Sequence, residues 1–191
     1  MAATSVILVR HGETEWSRSG RHTGRTDIEL CDEGRRQAAA LRELLDQWSF
    51  GLVLTSPLGR ARETARLSGL GDIAQIDDDL AEWDYGDLEG RTTDEIRQEM
   101  PGWTIWSGPV PGGESIDEVC TRADRVIERL LTTSGDVALF GHGHHLRILG
   151  ARWIELAPVE GRGFELSTAT VSTLGWDRGT PVISSWNQRP A

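Results

Sequence analysis

Two histidines, His11 and His142, stand just beyond short apolar runs, Val6–Val9 and Val137–Phe140, and each is followed by a glycine. Arg10 adjoins His11, and Arg60 lies shortly after a third apolar run, Gly51–Thr55. Guanidinium groups offer forked donors to phosphate oxygens. An imidazole can take a phosphoryl group on one ring nitrogen, as a nucleophile. A second imidazole can neutralise the oxygens on which charge develops. Two histidines and two arginines around one point therefore suit phosphoryl transfer. Read singly, each histidine is more often a satisfied turn or core residue than a catalyst.

For these four side chains to meet, the apolar runs must lie side by side and end at one rim. The chain has the elements for that. Val6–Val9, Gly51–Thr55, Asp72–Ile76 and Val137–Phe140 read as short buried strands. Between them, Ala38, Leu41, Leu45 and Trp48 recur at helical spacing, with Asp32 as a candidate cap. Ser56-Pro57 reads as a helix start, and that helix runs to Leu67. Thr92–Met100 is a short helix. Ser115 and Glu118 form a capping box before the stripe Ile116, Val119, Ala123, Val126 and Leu130. A further helix follows His142 to about Trp153. Two late strands, Thr170–Gly175 and Val182–Trp186, are expected to pair across Asp177-Arg178-Gly179. Strands alternating with helices give an α/β class: a three-layer α/β/α sandwich with a mostly parallel central sheet. In such sheets ligands bind beyond the carboxyl ends of the strands. The reading is of a single domain over residues 1–191, with a short excursion at about 80–114 over the site.

Composition narrows the function. The 191 residues carry 30 acids against 20 bases, a formal charge of −10, which disfavours nucleic acid as a partner. All the bases are Arg, so Schiff-base, P-loop and general-base lysines are excluded. No apolar run approaches the roughly 18 residues of a membrane span. Met1–Ser5 lacks a basic region followed by a long apolar one, so no signal peptide is expected. Cys31 and Cys120 form no close pair, which points to a reduced, cytoplasmic protein. His142, His144 and His145 lack the following acid that a metallo-hydrolase would want, so neither metal nor cofactor is expected.

Arg10-His11-Gly12-Glu13-Thr14 resembles the signature of the histidine phosphatase superfamily, which includes cofactor-dependent phosphoglycerate mutases and many acid phosphatases. Further blocks follow in family order: Thr23-Gly24 with Asp27 and Leu30; Ser56-Pro57-Leu58-Gly59-Arg60-Ala61 with Thr64-Ala65; Leu80-Ala81-Glu82 with Tyr85-Gly86 and Gly90; Gly112-Gly113-Glu114-Ser115; and Gly141-His142-Gly143. The resemblance spans residue 6 to about residue 150. It implies that His11 is the phosphorylated nucleophile and that Arg10, Arg60 and His142 clamp the phosphoryl oxygens. It implies that Glu82 protonates the leaving oxygen, a choice that spacing alone does not make among Glu13, Glu82, Asp84, Asp87 and Glu89. Thr23, Gly24 and Gly143 are implied to contact phosphate or substrate.

Ser17 stands where the family usually has Asn, and its hydroxyl offers fewer hydrogen bonds than an amide. His144 follows His142-Gly143, where mutases usually have Asn. With Glu15–Gly20 and Glu82–Asp87, this is similar to a branch of bacterial acid phosphatases and fungal sedoheptulose-bisphosphatase-like proteins. Ser17 and His144 are thus candidate substrate contacts, although His144 reads equally as a surface residue at a helix start. Trp16, Trp83 and Tyr85 are candidate pocket residues, and Arg18, Arg21 and Arg25 a candidate distal anion subsite or a solvated cluster. The stretch Gly90–Glu114 contains only Arg91 and Arg97 as bases, fewer than a mutase insert needs. The expected activity is therefore hydrolysis of small phosphorylated metabolites, of the sugar phosphate or bisphosphate class. A phosphoglycerate mutase and a non-enzymatic phosphate-binding relative are the alternatives. A homodimer is compatible with an unpaired edge strand or an exposed helix.

Overall fold

Val6–Arg10 (β1) buries side chains on both faces of a sheet, which explains its unbroken apolar run. Val6 and Leu8 join one core cluster and Ile7 and Val9 another, on opposite faces. The computed structural model describes residues 3–190. Met1 and Ala2, at the head of the segment expected to carry no signal peptide, and Ala191, the end of the expected domain, lie outside the described residues.

The other strands are Phe50–Thr55 (β2), Ala74–Ile76 (β3), Asp136–Gly141 (β4), Val171–Asp177 (β5) and Thr180–Gln188 (β6). The helices are Glu15–Arg18 (α1), Asp32–Leu45 (α2), Gly59–Leu67 (α3), Thr93–Glu99 (α4), Ile116–Thr132 (α5) and Gly143–Trp153 (α6). The sheet order is β3-β2-β4-β1-β5-β6. β3, β2, β4 and β1 run parallel, and β5 and β6 add an antiparallel hairpin at the β1 side. Helices α5 and α6 cover one face, where Val119, Ala123, Val126 and Leu130 meet Leu146 and Leu149. On the other face, Leu41 and Leu45 of α2 and Ala65 of α3 close over Ile7, Val9 and Phe140. This is the α/β class expected, with a mixed, mostly parallel sheet between two helical layers.

Several local expectations shift. Cys31, not Asp32, caps α2, its Sγ accepting from the Gly34 N–H at 3.4 Å. That helix ends at Leu45, so Trp48 lies beyond it. Helix α3 begins at Gly59 rather than at Ser56-Pro57. The Ser56 hydroxyl accepts from the Leu58 N–H at 3.2 Å, forming a turn instead of a cap. The capping box of Ser115 with Glu118 is present, and others join Thr92 to Glu95 ahead of α4 and Thr14 to Ser17 ahead of α1. The late hairpin turns on Arg178 and Gly179, with φ of 51° and 88°, the left-handed pair that a tight hairpin turn requires.

Candidate active site

Strand register brings the two histidines together. β1 and β4 are parallel neighbours in which Arg10 sits opposite Gly141, so the next residues, His11 and His142, leave the sheet side by side. The His11 N–H donates to the Gly141 carbonyl at 3.0 Å. The two ring centroids lie 5.2 Å apart. β2 ends beside β4, and the Ser56 N–H donates to the Phe140 carbonyl at 2.9 Å, which sets Ser56 against His142.

Hydrogen bonds assign both tautomers. The His11 Nδ1 lies 2.7 Å from the Gly12 carbonyl, which only accepts, so Nδ1 carries the proton. The Nε2 lone pair is left available, and His11 lines a cavity of about 400 Å³. Burial holds the His11 pKa well below its ordinary value, and the positive fields of Arg60 and Arg10 lower it further. The ring is thus neutral near pH 7, with Nε2 the nitrogen that carries the lone pair. In His142, Nδ1 accepts from Arg60 Nε at 3.2 Å, so Nε2–H donates to the Ser56 hydroxyl at 2.7 Å. His142 is fully buried, and its pKa too is pushed well down by burial.

The loop that carries His11 is held by close backbone approach. A Cβ at Gly12 would lie 2.3 Å from the Gly34 carbonyl oxygen, and one at Gly34 would lie 2.0 Å from that of Glu13. The start of α2 therefore presses against the loop after β1. The Gly12 N–H donates to the Thr64 hydroxyl at 3.0 Å, which ties the loop to α3.

Glu82 reaches the site from a segment without regular structure. Its Oε1 accepts from the Trp83 and His145 N–H groups, both at 2.9 Å, and its Oε2 from the His144 N–H at 3.0 Å. His142 makes no side-chain cap for α6, and Glu82 serves in its place the donors that a helix start leaves unpaired. Of the five acids that compete in the sequence, only Glu82 lines the cavity. Glu13 receives Arg18, Asp84 is paired with Arg25 and accepts from the Gly86 N–H, and Glu89 accepts from the Arg25 and Thr26 N–H groups.

Arg10 lines the cavity, where one of its terminal nitrogens donates to the Leu166 carbonyl and its buried Nε has no partner among the described residues. Gly143 lies against it: a Cβ there would be 3.2 Å from Arg10 Cζ. Arg60 takes a different position from that expected. It is buried behind His142 and does not line the cavity. Besides His142 it donates to the carbonyls of Thr26 at 3.0 Å, Thr23 at 3.1 Å and Gly24 at 2.9 Å. A buried cation needs its donors satisfied, and these carbonyls satisfy them. The structure thus brings Arg60 and His142 next to His11, but with their donors engaged by protein groups.

The remaining expected contacts divide. Ser17, Thr23, Gly143 and His144 line the cavity. The hydroxyl proton of Ser17 goes to the Thr14 carbonyl at 3.0 Å, and that of Thr23 to the Arg21 carbonyl at 3.0 Å. Gly24 does not line it. A Cβ there would fall 2.5 Å from the Trp83 carbonyl oxygen, so the glycine permits packing. His144 is no surface group: its Nδ1 lies 2.6 Å from the Tyr85 hydroxyl, and Trp106 packs against its ring at 5.3 Å. Tyr85 lines the cavity, whereas Trp16 and Trp83 do not. Arg18 and Arg25 are paired as described, and Arg21 pairs with Glu95 at 3.2 Å, so carboxylates already answer that cluster. Sequence reasoning missed Arg97, Trp106, Arg147 and Leu166 in the lining. Arg147 was detectable, standing one helical turn beyond Gly143 and His144 on α6, and Arg97 likewise one turn beyond Thr93 on α4.

The family model described as "Histidine phosphatase superfamily (branch 1)" matches residues 6–189. The chain belongs to the histidine phosphatase superfamily. It is 42% identical over 183 residues to an acid phosphatase of Mycobacterium tuberculosis, covering 94% of this chain and 90% of that one. It is 36% identical to the sedoheptulose 1,7-bisphosphatase of Saccharomyces cerevisiae, covering 78% of this chain and 67% of that one. A solved structure of a Mycobacterium tuberculosis open reading frame superposes with a TM-score of 0.93 at 37% identity, covering 98% and 99% of the two chains. This histidine phosphatase is an enzyme, a hydrolase of small phosphorylated metabolites with a His/Arg active site. Among the described residues, no helix is long and apolar enough to cross a membrane.

Proposed function

We propose that the enzyme hydrolyses phosphomonoesters of the sugar phosphate or bisphosphate class in two transfers through a phosphohistidine on His11. In the first, His11 Nε2 attacks phosphorus, the bond to the ester oxygen breaks, and Glu82 gives that oxygen its proton. In the second, water attacks phosphorus, the P–N bond breaks, and Glu82 takes the water proton, so that alcohol and inorganic phosphate leave in turn. Arg10 and the Gly143 N–H face the transferring oxygens. Arg60 and His142 adjoin His11, and on phosphoryl binding they exchange their present partners for phosphoryl oxygens.

The observation that carries this reading is the His11 tautomer. Its Nδ1–H is held by the Gly12 carbonyl, and its free nitrogen shares a cavity with Arg10 and Glu82. Hydrolysis is favoured over isomerisation because Arg91 is paired with Glu99 at 2.7 Å, which leaves Arg97 alone among the bases of Gly90–Glu114. Rapid acid-free quenching of the enzyme with a phosphorus-labelled ester tests the mechanism. An acid-labile phosphoenzyme that forms in the wild type and is absent from His11→Ala is expected. Turnover in His11→Ala near the wild-type rate would overturn the nucleophile. Isomerisation of 3-phosphoglycerate, primed with 2,3-bisphosphoglycerate, that outpaces phosphate release would overturn hydrolysis.

A further inference from the structure

Residues 81–85, which carry Glu82, lie in neither helix nor strand, so no backbone ladder fixes the carboxylate that shares the cavity with His11. Two side chains outside the cavity grip this segment instead. Arg122 stands on α5, and Glu114 just ahead of that helix. A guanidinium has five N–H donors, and here all five find acceptors. Nε and Nη2 form a fork onto Glu114 Oε1 and Oε2, each at 2.8 Å. Nη1 donates to the carbonyls of Asp79 at 2.9 Å and Ala81 at 3.0 Å, and Nη2 also to that of Glu82 at 3.4 Å. Glu114 reaches the same segment. Its Oε2 accepts from the Asp84 N–H at 3.0 Å, its N–H donates to the Asp84 carbonyl at 2.9 Å, and its carbonyl accepts from the Trp83 indole at 2.8 Å. The backbone on both sides of Glu82 is thus tied to one ion pair.

The Arg122 and Glu114 side chains are only 13% and 17% exposed, so salt screens this pair less than it screens ion pairs in open solvent. Helix α5 is itself anchored by Val119, Ala123 and Val126, in the core it shares with α6. The start of α6 meanwhile gives the carboxylate the N–H groups of His144 and His145. Two packed helices therefore hold one residue, α5 by its backbone and α6 by its carboxylate. Arg125 and Arg129, one and two turns further along α5, pair with Asp79 and Asp77. Both arginines are exposed and reach only the far end of the segment.

We propose that Arg122, forked onto Glu114, is a positioning residue that fixes the Glu82 carboxylate against the start of α6, in reach of the leaving oxygen. Arg122 does not line the cavity and acts through Glu82. The catalytic consequence rests on the functional reading above, in which Glu82 is the acid; the placement of the carboxylate does not.

The test compares kcat/KM for an alkyl phosphate, whose leaving oxygen needs a proton, with that for 4-nitrophenyl phosphate, whose leaving group departs as the anion. Arg122→Gln should lower the alkyl value about tenfold to a hundredfold and the aryl value less than about threefold, because a catalytic group displaced by about an ångström loses that much. Arg122→Lys keeps the charge and the stem but not the fork, and should shift the ratio the same way. It carries the test if the glutamine variant folds poorly. Arg125→Gln, which removes an exposed tie to the same segment, should leave the ratio unchanged. In the Glu82→Gln protein the placed carboxylate is gone, so adding Arg122→Lys should deepen the alkyl loss little. Amide hydrogen exchange reads placement apart from catalysis. The His144 and His145 amides, which Glu82 holds, should exchange faster in Arg122→Lys than in the wild type, while those of Leu149 and Gly150 further along α6 should not. Wild-type exchange at His144 and His145 in that variant would overturn the positioning role. So would an unchanged ester ratio in both Arg122 variants, or losses that add in the double variant, where Glu82→Gln itself is selective for the alkyl ester. Equal losses on both esters in Glu82→Gln, with the two amides still loosened in Arg122→Lys, would instead overturn the acid assignment and leave Arg122 as the residue that places the carboxylate.

Discussion

Glu82→Gln separates a proton donor from a structural cap. Oε1 serves two N–H groups and Oε2 one. The glutamine oxygen therefore takes the Oε1 place, and its NH₂ then faces the His144 N–H, donor against donor. Leaving that amide unpaired costs about 1–3 kcal/mol, at about 2–4 °C of melting temperature per kcal/mol in a chain of this size. The kinetic loss is separate. Removing a positioned acid–base group slows its step by roughly 10²–10⁴, or about 3–5 kcal/mol of barrier. That loss falls on esters whose leaving oxygen needs a proton. The assay compares kcat/KM for an alkyl phosphate and for 4-nitrophenyl phosphate, whose leaving group departs as the anion. The variant should lose about 10²–10⁴ on the alkyl ester and far less on the aryl ester. Because water activation is also impaired, the aryl ester should give a burst of nitrophenol followed by a slow steady state. Equal losses in kcat/KM on both esters would refute the assignment of Glu82 as the acid.

Gly34→Ala places a Cβ 2.0 Å from the Glu13 carbonyl oxygen, so backbone must move, at a cost of about 3 kcal/mol; a urea midpoint equal to the wild type would contradict the close approach. Gly143→Ala sets a Cβ 3.2 Å from Arg10 Cζ and should displace the guanidinium by tenths of an ångström, lowering kcat/KM about tenfold with little change in melting temperature; unaltered kinetics would mean that Arg10 does not hold the phosphoryl group. His22 has a folded pKa of about 4 against 6.5 unfolded, so the unfolded chain binds more protons in that window. Its contribution, about 3 kcal/mol, is present in full above pH 6.5 and is lost as pH falls toward 4. Denaturation midpoints that stay flat from pH 7.5 to 4.5 would contradict it. Because His11 too is held well below its ordinary pKa, the acidic limb of kcat/KM should lie below pH 6.5; a limb at or above 6.5 that persists unchanged in Glu82→Gln would refute a neutral, buried nucleophile.

Much was already legible along the chain. Strand runs, the capping box at Ser115, and the histidines placed one residue past β1 and β4 followed from local rules: burial favours apolar runs, and hydroxyls cap helix starts. Register then needed only parallel neighbours to bring His11 and His142 together. What local rules could not reach was set by contacts between distant segments. Nothing near Glu82 distinguishes it from Asp84 or Glu89; the unpaired N–H groups of α6, some sixty residues later, single it out. Ser56 looked like a cap because its neighbours read that way, yet His142 claims its hydroxyl. Arg60 was expected on the phosphoryl side, but the Thr23–Thr26 carbonyls lie where its fork can be satisfied. Which arginines end up without a carboxylate is likewise a property of the folded surface alone, because a salt bridge forms between side chains that the fold makes neighbours, whatever their separation along the chain.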